Sequence, residues 1–503
     1  MSGTEKNIQT PNLEYEEPRN KTHLNENEVK TKNTTNTINM ITTIKEIKYG
    51  EIPHRWFFLV SYCLLNFVNQ MQWVCFSAIL TDFSKNYNKP QWKINMFSLI
   101  YMIVYPIVCI PQAWMLDKFS IKISLKLAAA TNIIGAGLKL LVNKDRSLAS
   151  CYIGQVFACI FQPILLNSPG KISANWFRED IRTVICTICC SAIILGALIG
   201  FLWNLLFIKE DMEQNEFKDQ VFNYFLSEFI LTFIFCFPTF FITKDKPEIP
   251  TSPSQDDSQK PPGFKESLKI LIKNKRFIYL FISYLLVVGY FNIMSTVING
   301  MLALYTITGT ESSVIYAVAS VIGTVASLII SWILDKTKKF KLIIIILAVS
   351  GTIFQALFTL LLELVEKKDL NAYAIGIIMY SLINISIISF YSIGMNYACE
   401  ITYPVGEAIN GSIMSSTPQL LAIALIFLCD HFINHKSEKK YISNIILLIL
   451  LALSVIFVCL LDEKLDRQEI ENIGRLKEKN ENDNINIKES TDVVNVKNNE
   501  NNN

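Results

Sequence analysis

The chain has 503 residues, of which 51% are hydrophobic and 12% aromatic, and its formal net charge is only +2. This composition, with a mean hydropathy of +0.32, is typical of a membrane protein and excludes a purely soluble domain. A nearly neutral chain also lacks the concentrated basic surface that nucleic acids require, so we expect no nucleic-acid partner.

The twelve cysteines lie mostly inside apolar segments at irregular spacing, as small core residues do. Cys186, Cys189 and Cys190 form the densest group, but no further ligand residues accompany them on their hydrophobic segment. We therefore expect neither a bound metal nor any other cofactor.

Long apolar runs divide the chain into two groups of membrane-spanning helices. Residues 1–50 and 464–503 are rich in Asn, Lys and Glu, so we expect them to be disordered tails. A polar segment with several prolines, 243–276, predicts a solvated linker between an N-terminal bundle, 55–242, and a C-terminal bundle, 277–461. The predicted helices lie near 57–83, 94–115, 122–142, 149–174, 183–208, 222–242, 277–304, 312–334, 340–362, 372–398, 406–430 and 441–461.

A short internal repeat relates the two groups. Trp114–Lys118 ends the second predicted helix and Trp332–Lys336 ends the eighth, with four of five residues identical. The repeat predicts an all-α membrane fold of twelve transmembrane helices in two pseudo-symmetric six-helix bundles, the arrangement of the major facilitator superfamily. Each Asp-Lys pair resembles a reduced form of that superfamily's loop signature. In that signature the aspartate accepts bonds from a neighbouring helix terminus and latches one conformational state; a plain solvated turn is the alternative. The candidate latch residues are Asp117, Lys118, Asp335 and Lys336.

Basic residues cluster in the linker and in the loop after the eighth helix, whereas the loop after the fifth helix is acidic. Because cytosolic loops of membrane proteins carry an excess of Lys and Arg, we expect the linker and both tails to be cytosolic. The sequence therefore predicts an integral multi-pass monomer, in the plasma membrane or alternatively in an organelle membrane.

The first predicted helix carries a polar stretch, Asn66–Trp73, inside an otherwise apolar segment. Amides that face hydrocarbon are costly, so these side chains are expected to face protein or a water-filled cavity. Trp73 offers a π-face that can hold a cation, and Asn69 and Gln72 lie beside it. Hydrogen bonding between helices is the alternative role for the amides.

Other neutral polar groups at mid-helix indicate a polar central pocket. Gln162 and Gln419 each adjoin a proline, which is tolerated inside a span where the backbone lines a cavity. Tyr101 adds a second ring. Carboxylates such as Glu228 fall near helix ends by the predicted boundaries, and Lys139 is near enough to an end to reach solvent. Proton coupling is therefore disfavoured.

Several motifs resemble one family of transporters. They are Asn69 through Gln72-Trp73, Ser98-Leu99-Ile100-Tyr101-Met102, Trp114-Met115-Leu116-Asp117, Gly135-Ala136-Gly137-Leu138-Lys139, Gly154-Gln155, Gln162, Pro169 followed by Asn175-Trp176-Phe177, and Glu400-Ile401-Thr402-Tyr403-Pro404. Over residues 55–461 the chain resembles the feline leukaemia virus subgroup C receptor-related transporters.

The resemblance implies a major facilitator fold and uniport of choline, with ethanolamine as a related substrate and haem as an older assignment. It implies that Trp73 belongs to an aromatic cage and that Gln162 and Gln419 are pocket glutamines. The family's cage tyrosine falls at Asn292 here, and a polar Asn-Gln pair becomes Ile193-Ile194. These departures predict weaker choline binding or a pocket for another small amine. The candidate substrate-binding residues are Trp73, Gln162, Gln419, Asn292, Asn69, Gln72 and Tyr101.

Three functions remain open from the sequence. The leading one is facilitative transport of choline or a similar small cationic amine by alternating access. Haem transport is the second, since His431 and His435 have the i, i+4 spacing of metal ligands, although their place at the outer end of the eleventh helix favours a solvated loop over a metal site. A membrane receptor without transport is the third. The sequence contains no nucleophile–base constellation or phosphate loop, so we expect no enzyme activity.

Overall fold

A computed structural model describes residues 54–76, 79–118, 120–144, 148–208, 212–247, 251–252, 262–305, 307, 309–368, 371–434, 441–473 and 476. Within these ranges the regular structure is entirely helical, as the sequence predicts. The predicted N-terminal tail, His435 and the larger part of the predicted C-terminal tail lie outside them, as does the side chain of His431.

The N-terminal half is built from helices of very different length. They are α1 (His54–Val74), α2 (Leu80–Asn86), α3 (Gln91–Lys118), α4 (Ile121–Lys139), α5 (Ala149–Cys159), α6 (Gln162–Asn167), α7 (Pro169–Trp176), α8 (Arg182–Trp203) and α9 (Gln214–Cys236). Short 3-10 turns extend α8 at Asn204–Leu206 and α9 at Phe237–Phe241.

The C-terminal half contains longer and more regular helices. They are α10 (Phe264–Lys273), α11 (Lys275–Ala303), α12 (Gly309–Thr337), α13 (Phe340–Lys368), α14 (Ala372–Ile401), α15 (Glu407–Asn434), α16 (Ile442–Cys459) and α17 (466–473).

Eleven segments of the described chain are long and apolar enough to cross a membrane, with α5 and α6 forming one segment. Helix α1 is also 21 residues long, but its buried Asn and Gln residues lower its hydropathy. With α1 the spans number twelve. The predicted all-α fold is confirmed.

Two predicted helices are interrupted. The first, predicted to reach residue 83, ends at Val74, and α2 begins separately at Leu80. The fourth, predicted over 149–174, is three helices, with Pro163 and Pro169 in the first turns of α6 and α7. Proline lacks the backbone N–H and clashes with the preceding turn, so it begins a helix more readily than it continues one.

Each half has its own apolar core, and small residues bring neighbouring helices together. In the N-terminal half α4 crosses α5 where Gly135 faces Gly154. A Cβ on Gly135 would lie 2.6 Å from the carbonyl oxygen of Gly154, and one on Gly154 would lie 2.7 Å from that of Gly135. This backbone contact requires glycine on both helices, as is common where membrane helices pack closely.

A buried ion pair inside the N-terminal half corrects two predictions. Lys139 Nζ on α4 lies 3.1 and 3.2 Å from the two carboxylate oxygens of Glu228 on α9. Lys139 therefore does not reach solvent, and a carboxylate does lie inside a span. Because α9 begins at Gln214, eight residues before the predicted start at 222, Glu228 falls in the helix interior. Opposite charges at this distance offset part of the cost of burying each other.

Two helices lie where the sequence predicts unstructured chain. Helix α10 falls within the predicted linker, and Asn274 caps the following helix by accepting from the backbone N–H groups of Arg276 and Phe277. Residues 466–473, at the start of the predicted disordered tail, form α17, where Arg467 and Glu471 are buried. Their ion pairs with the rest of the protein give this polar segment a fixed position that composition alone does not indicate.

Candidate functional site

A cavity of about 60 Å³ lies between the two bundles. Its walls come from α1, α3, α6 and α8 on one side and from α11, α14 and α15 on the other. No charged side chain is among its lining residues, which are Gln70, Trp73, Tyr101, Met102, Gln162, Leu166, Ile193, Ile194, Val288, Phe291, Asn292, Tyr391, Ser415 and Gln419.

Trp73 faces this cavity from the last turn of α1. Its indole Nε1 donates to the carbonyl oxygen of Ser98 on α3 at 3.3 Å, and the Ser98 hydroxyl donates to the carbonyl oxygen of Trp73 at 3.3 Å. The ring also packs in a small cluster with Tyr101. These contacts fix the indole with part of its surface open to the cavity.

The two predicted glutamines reach the cavity from opposite bundles. Gln162 is the first residue of α6, directly after the break that separates α6 from α5. Gln419 follows Pro418 inside α15. Each therefore lies where the helical hydrogen-bond ladder is interrupted, as the sequence predicts from the adjoining prolines.

Three further lining residues have unsatisfied polar atoms. Among the described residues, Tyr101 Oη, Asn292 Nδ2 and Ser415 Oγ are buried without a hydrogen-bond partner. Buried polar groups are nearly always paired with protein, water or ligand. Their orientation toward a shared cavity indicates a place for a molecule that can exchange hydrogen bonds.

Asn69 and Gln72 do not line the cavity. Asn69 Nδ2 donates to Asn132 Oδ1 at 3.0 Å and to the carbonyl oxygen of Ala158 at 2.8 Å, and Gln72 Nε2 donates to Asn132 Oδ1 at 3.3 Å. These amides connect α1 to α4 and α5, which is the alternative role considered from the sequence. Gln70 lines the cavity instead, because residues three apart share a helix face and Gln70 lies three residues before Trp73.

The cavity has more aromatic surface than the sequence indicates. Phe291 and Tyr391 join Trp73 and Tyr101 in its lining, beside Asn292. Tyr391 lies on α14, and its ring is stacked 6.1 Å from that of Tyr284. Nothing in the sequence distinguishes Tyr391 from other aromatic residues in the spans, so it is not predicted.

One of the two predicted latch sites is described, at the linker end of the bundles. Asp335 on α12 is buried and accepts hydrogen bonds from the backbone N–H groups of Thr183 at 3.1 Å and Val184 at 2.9 Å. These residues lie in the first turn of α8 in the other bundle, where a carboxylate accepts from free N–H groups and is attracted by the positive end of the helix dipole. Lys336 instead lies over its own neighbour Trp332, 3.6 Å from the ring centroid. The side chains of Asp117 and Lys118 are outside the described part of the structure.

Further contacts join the bundles at this end. The hydroxyls of Thr187 and Ser331 are 2.7 Å apart, and Asn396 Nδ2 donates to the Thr183 hydroxyl at 2.8 Å. Arg182 Nη1 lies 3.6 Å from Glu400 Oε1. The linker end is therefore closed between α8 on one side and α12 and α14 on the other.

Residues 62–409, more than half of the chain, match the family model described as Major Facilitator Superfamily. The chain belongs to the major facilitator superfamily. It is an integral multi-pass membrane protein with the family and fold of transporters.

Superfamily members with similar sequences include choline/ethanolamine transporters. An uncharacterized MFS-type transporter of Caenorhabditis elegans is 28% identical over 428 residues, covering 83% of this chain and 71% of that protein. The choline/ethanolamine transporter FLVCR1 of Felis catus is 27% identical over 434 residues, covering 84% and 74%. The choline/ethanolamine transporter flvcr2a of Danio rerio is 27% identical over 425 residues, covering 82% and 88%. The resemblance drawn from the sequence motifs is confirmed.

Solved structures of the superfamily share the fold at much lower identity. The major facilitator transporter FucP in its outward conformation has a TM-score of 0.62 at 13% identity, covering 81% of this chain and 99% of that chain. A double-tryptophan mutant of XylE has a TM-score of 0.65 at 15% identity, covering 84% and 100%. These matches establish the arrangement of helices and carry no argument about substrate.

Proposed function

We propose that this superfamily member is a facilitative transporter, a uniporter, of choline or a related small cationic amine such as ethanolamine. The observation that carries the proposal is the cavity between the bundles, lined by rings and amides and by no charged side chain. A quaternary ammonium cannot donate hydrogen bonds, so π-faces suit it better than acceptor oxygens. A desolvated cation–π contact stabilises a bound cation by about 2 kcal/mol, which can hold it without a buried anion.

The polar groups of the cavity suit the other end of such a substrate. Gln162 and Gln419 offer amide donors and acceptors from both bundles, and the Tyr101 hydroxyl can donate or accept. A choline or ethanolamine hydroxyl can exchange hydrogen bonds with these groups. The resemblance implies a ring at the position of Asn292; the amide found there instead favours an ammonium that carries N–H donors, such as that of ethanolamine.

The membrane potential is sufficient to drive uptake of a cation. Moving one positive charge through 100 mV yields about 2.3 kcal/mol, roughly a fifty-fold accumulation. The Lys139–Glu228 pair is balanced in charge and does not line the cavity, so we assign it no proton-coupling role. The excess of basic residues in the linker supports a cytosolic linker and termini, and uptake from outside the cell suits the plasma membrane.

Transport would proceed by alternating access, with the bundles rocking about the cavity. In this scheme Asp335 acts as a latch, because its bonds to Thr183 and Val184 must break when the linker end opens. Haem is a poorer cargo for this cavity. A cavity that holds one water molecule has a volume of about 10–15 Å³. The cavity of about 60 Å³ therefore has room for a small amine and is far too small for a porphyrin.

Competition uptake assays test the proposal. In cells that lack their own choline transporter, the expressed chain should take up labelled choline and ethanolamine, each competing with the other, while haem competes with neither. Saturable haem uptake that choline does not inhibit would reject the proposed function.

A further inference from the structure

Helix α17 follows the last span and buries two charged side chains. Arg467 and Glu471 are each 1% exposed, which is rare for such residues unless they are paired. Arg467 Nη2 lies 3.1 Å from Glu407 Oε1 at the start of α15. Burial lowers the pKa of the Arg467 guanidinium, but Glu407 and Glu400 more than offset this, so its pKa is raised and the charge is kept.

The same helix contacts the N-terminal bundle through Glu471. Its Oε1 lies 3.4 Å from Arg182 Nη2, at the first residue of α8. Arg182 is itself almost fully buried, and it also lies 3.6 Å from Glu400 of α14 and donates to the Ser252 hydroxyl at 3.3 Å. A cation of the N-terminal bundle is thus held by carboxylates from α14 and α17.

The start of α17 is fixed to the C-terminal bundle. Arg276, near the start of α11, donates to both carboxylate oxygens of Asp466 at 3.1 and 2.8 Å and to the carbonyl oxygen of Lys464 at 2.8 Å. A bidentate pair of this kind gives a defined geometry as well as attraction. With the Arg467–Glu407 pair it gives α17 two attachments to one bundle and, through Glu471, one to the other.

We propose that α17 is a C-terminal clamp that holds the linker end of the transporter closed. The proposal rests on alternating access from the proposed function, because opening the linker end must separate Arg182 from Glu400 and Glu471. The attachments at Arg276 and Glu407 keep the clamp on the C-terminal bundle, so the Arg182–Glu471 pair is the contact that breaks. This charge-assisted contact exists only while the end is closed, so it favours the closed state over the open one. The clamp therefore sets the balance between the two states.

Labelling of a cysteine buried between the bundles tests the clamp without substrate. Ser331 is fully buried against Thr187 across the closed end, so Ser331→Cys becomes accessible to a maleimide only when that end opens. Mass spectrometry of the peptide that carries this residue reports its labelling rate in the purified full-length chain and leaves the native cysteines in place. Glu471→Gln should raise the rate roughly tenfold, since one partner of a buried pair is lost.

Glu469→Gln is the matched control. It removes the same charge from the same helix, but Glu469 is 55% exposed and pairs with Lys464. Its labelling rate should equal that of the parent protein. Equal rates for the Glu471 and Glu469 variants would overturn the clamp.

A second variant covers the case in which Glu471→Gln does not yield a monodisperse protein. Gln468 of α17 and Glu179 of the N-terminal half both line one small gap at the closed end, so Gln468→Cys with Glu179→Cys can be joined by a short reducible cross-linker. Joining them should slow labelling at position 331, and reduction should restore it; an unchanged rate rejects the clamp. Absence of choline uptake with the expected labelling would reject the proposed substrate alone.

Discussion

The carboxylate of Asp335 in the C-terminal bundle caps the N-terminus of the helix that begins at Arg182 in the other bundle, with 3.1 Å between Asp335 Oδ1 and the backbone nitrogen of Thr183. Because a hydrogen bond to a charged group contributes about 1.5–3 kcal/mol, Asp335→Asn should shift the protein toward the state that is open at the linker end. Labelling at Ser331→Cys measures this shift as a faster rate. Lys339→Gln, an exposed change in the loop that follows α12, is the control. An unchanged rate for Asp335→Asn would show that the bond does not hold the bundles closed.

The buried pair of Lys139 and Glu228 predicts a strong effect on stability. Lys139→Met alone leaves a buried carboxylate without its partner and should cost about 3–5 kcal/mol. The double variant Lys139→Met with Glu228→Met should lie much closer to the parent protein, because no charge remains buried. Thermal unfolding in detergent measures both, with exposed Lys144→Met as the control. Single and double variants of equal stability would contradict a compensating pair.

The side chain at position 292 should influence whether the cavity prefers choline or ethanolamine. Asn292→Tyr adds a ring to the lining and should tighten choline binding by about 1–2 kcal/mol, roughly five- to thirtyfold. Ethanolamine should gain less, since it loses an amide partner. Competition uptake gives both affinities, and Asn292→Leu separates the added ring from the lost amide. A choline affinity that does not improve in the tyrosine variant would show that Asn292 does not occupy the position of the family's cage residue.

If the protein is a uniporter of a cation, the membrane potential and not a proton gradient should drive accumulation of the substrate. Collapsing the membrane potential should reduce choline accumulation toward equal concentrations inside and outside, whereas an imposed pH gradient alone should change it little. Uptake into proteoliposomes with a potassium diffusion potential separates the two. A strict requirement for a proton gradient would mean that a titratable group takes part in transport.

The sequence predicts the helix count and much of the cavity lining because both depend on polarity along each helix. Trp73, Tyr101, Gln162, Asn292 and Gln419 all reach the cavity. Which amide side chains of α1 face the cavity depends on how that helix is rotated about its axis. Gln70 shares a face with Trp73, while Asn69 bonds to Asn132, and composition cannot distinguish these orientations.

Long-range pairing accounts for the other differences. Glu228 is assigned to a helix end because the predicted boundary starts α9 too late, and its partner lies 89 residues away along the chain. The helix at 466–473 is polar enough to predict disorder, yet Glu471 meets Arg182 across 289 residues. Local sequence carries no signal for partners at such separations.

Trp73 tests the central claim most directly. Trp73→Ala should abolish saturable choline uptake while the protein still reaches the membrane, because the variant lacks the ring that holds the cation. Trp73→Phe keeps an aromatic face and should retain part of the uptake. Trp56→Ala, which removes a ring that is 47% exposed at the other end of the same helix, should leave uptake unchanged. Normal choline uptake by Trp73→Ala, at equal surface expression, would contradict a cation site in this cavity.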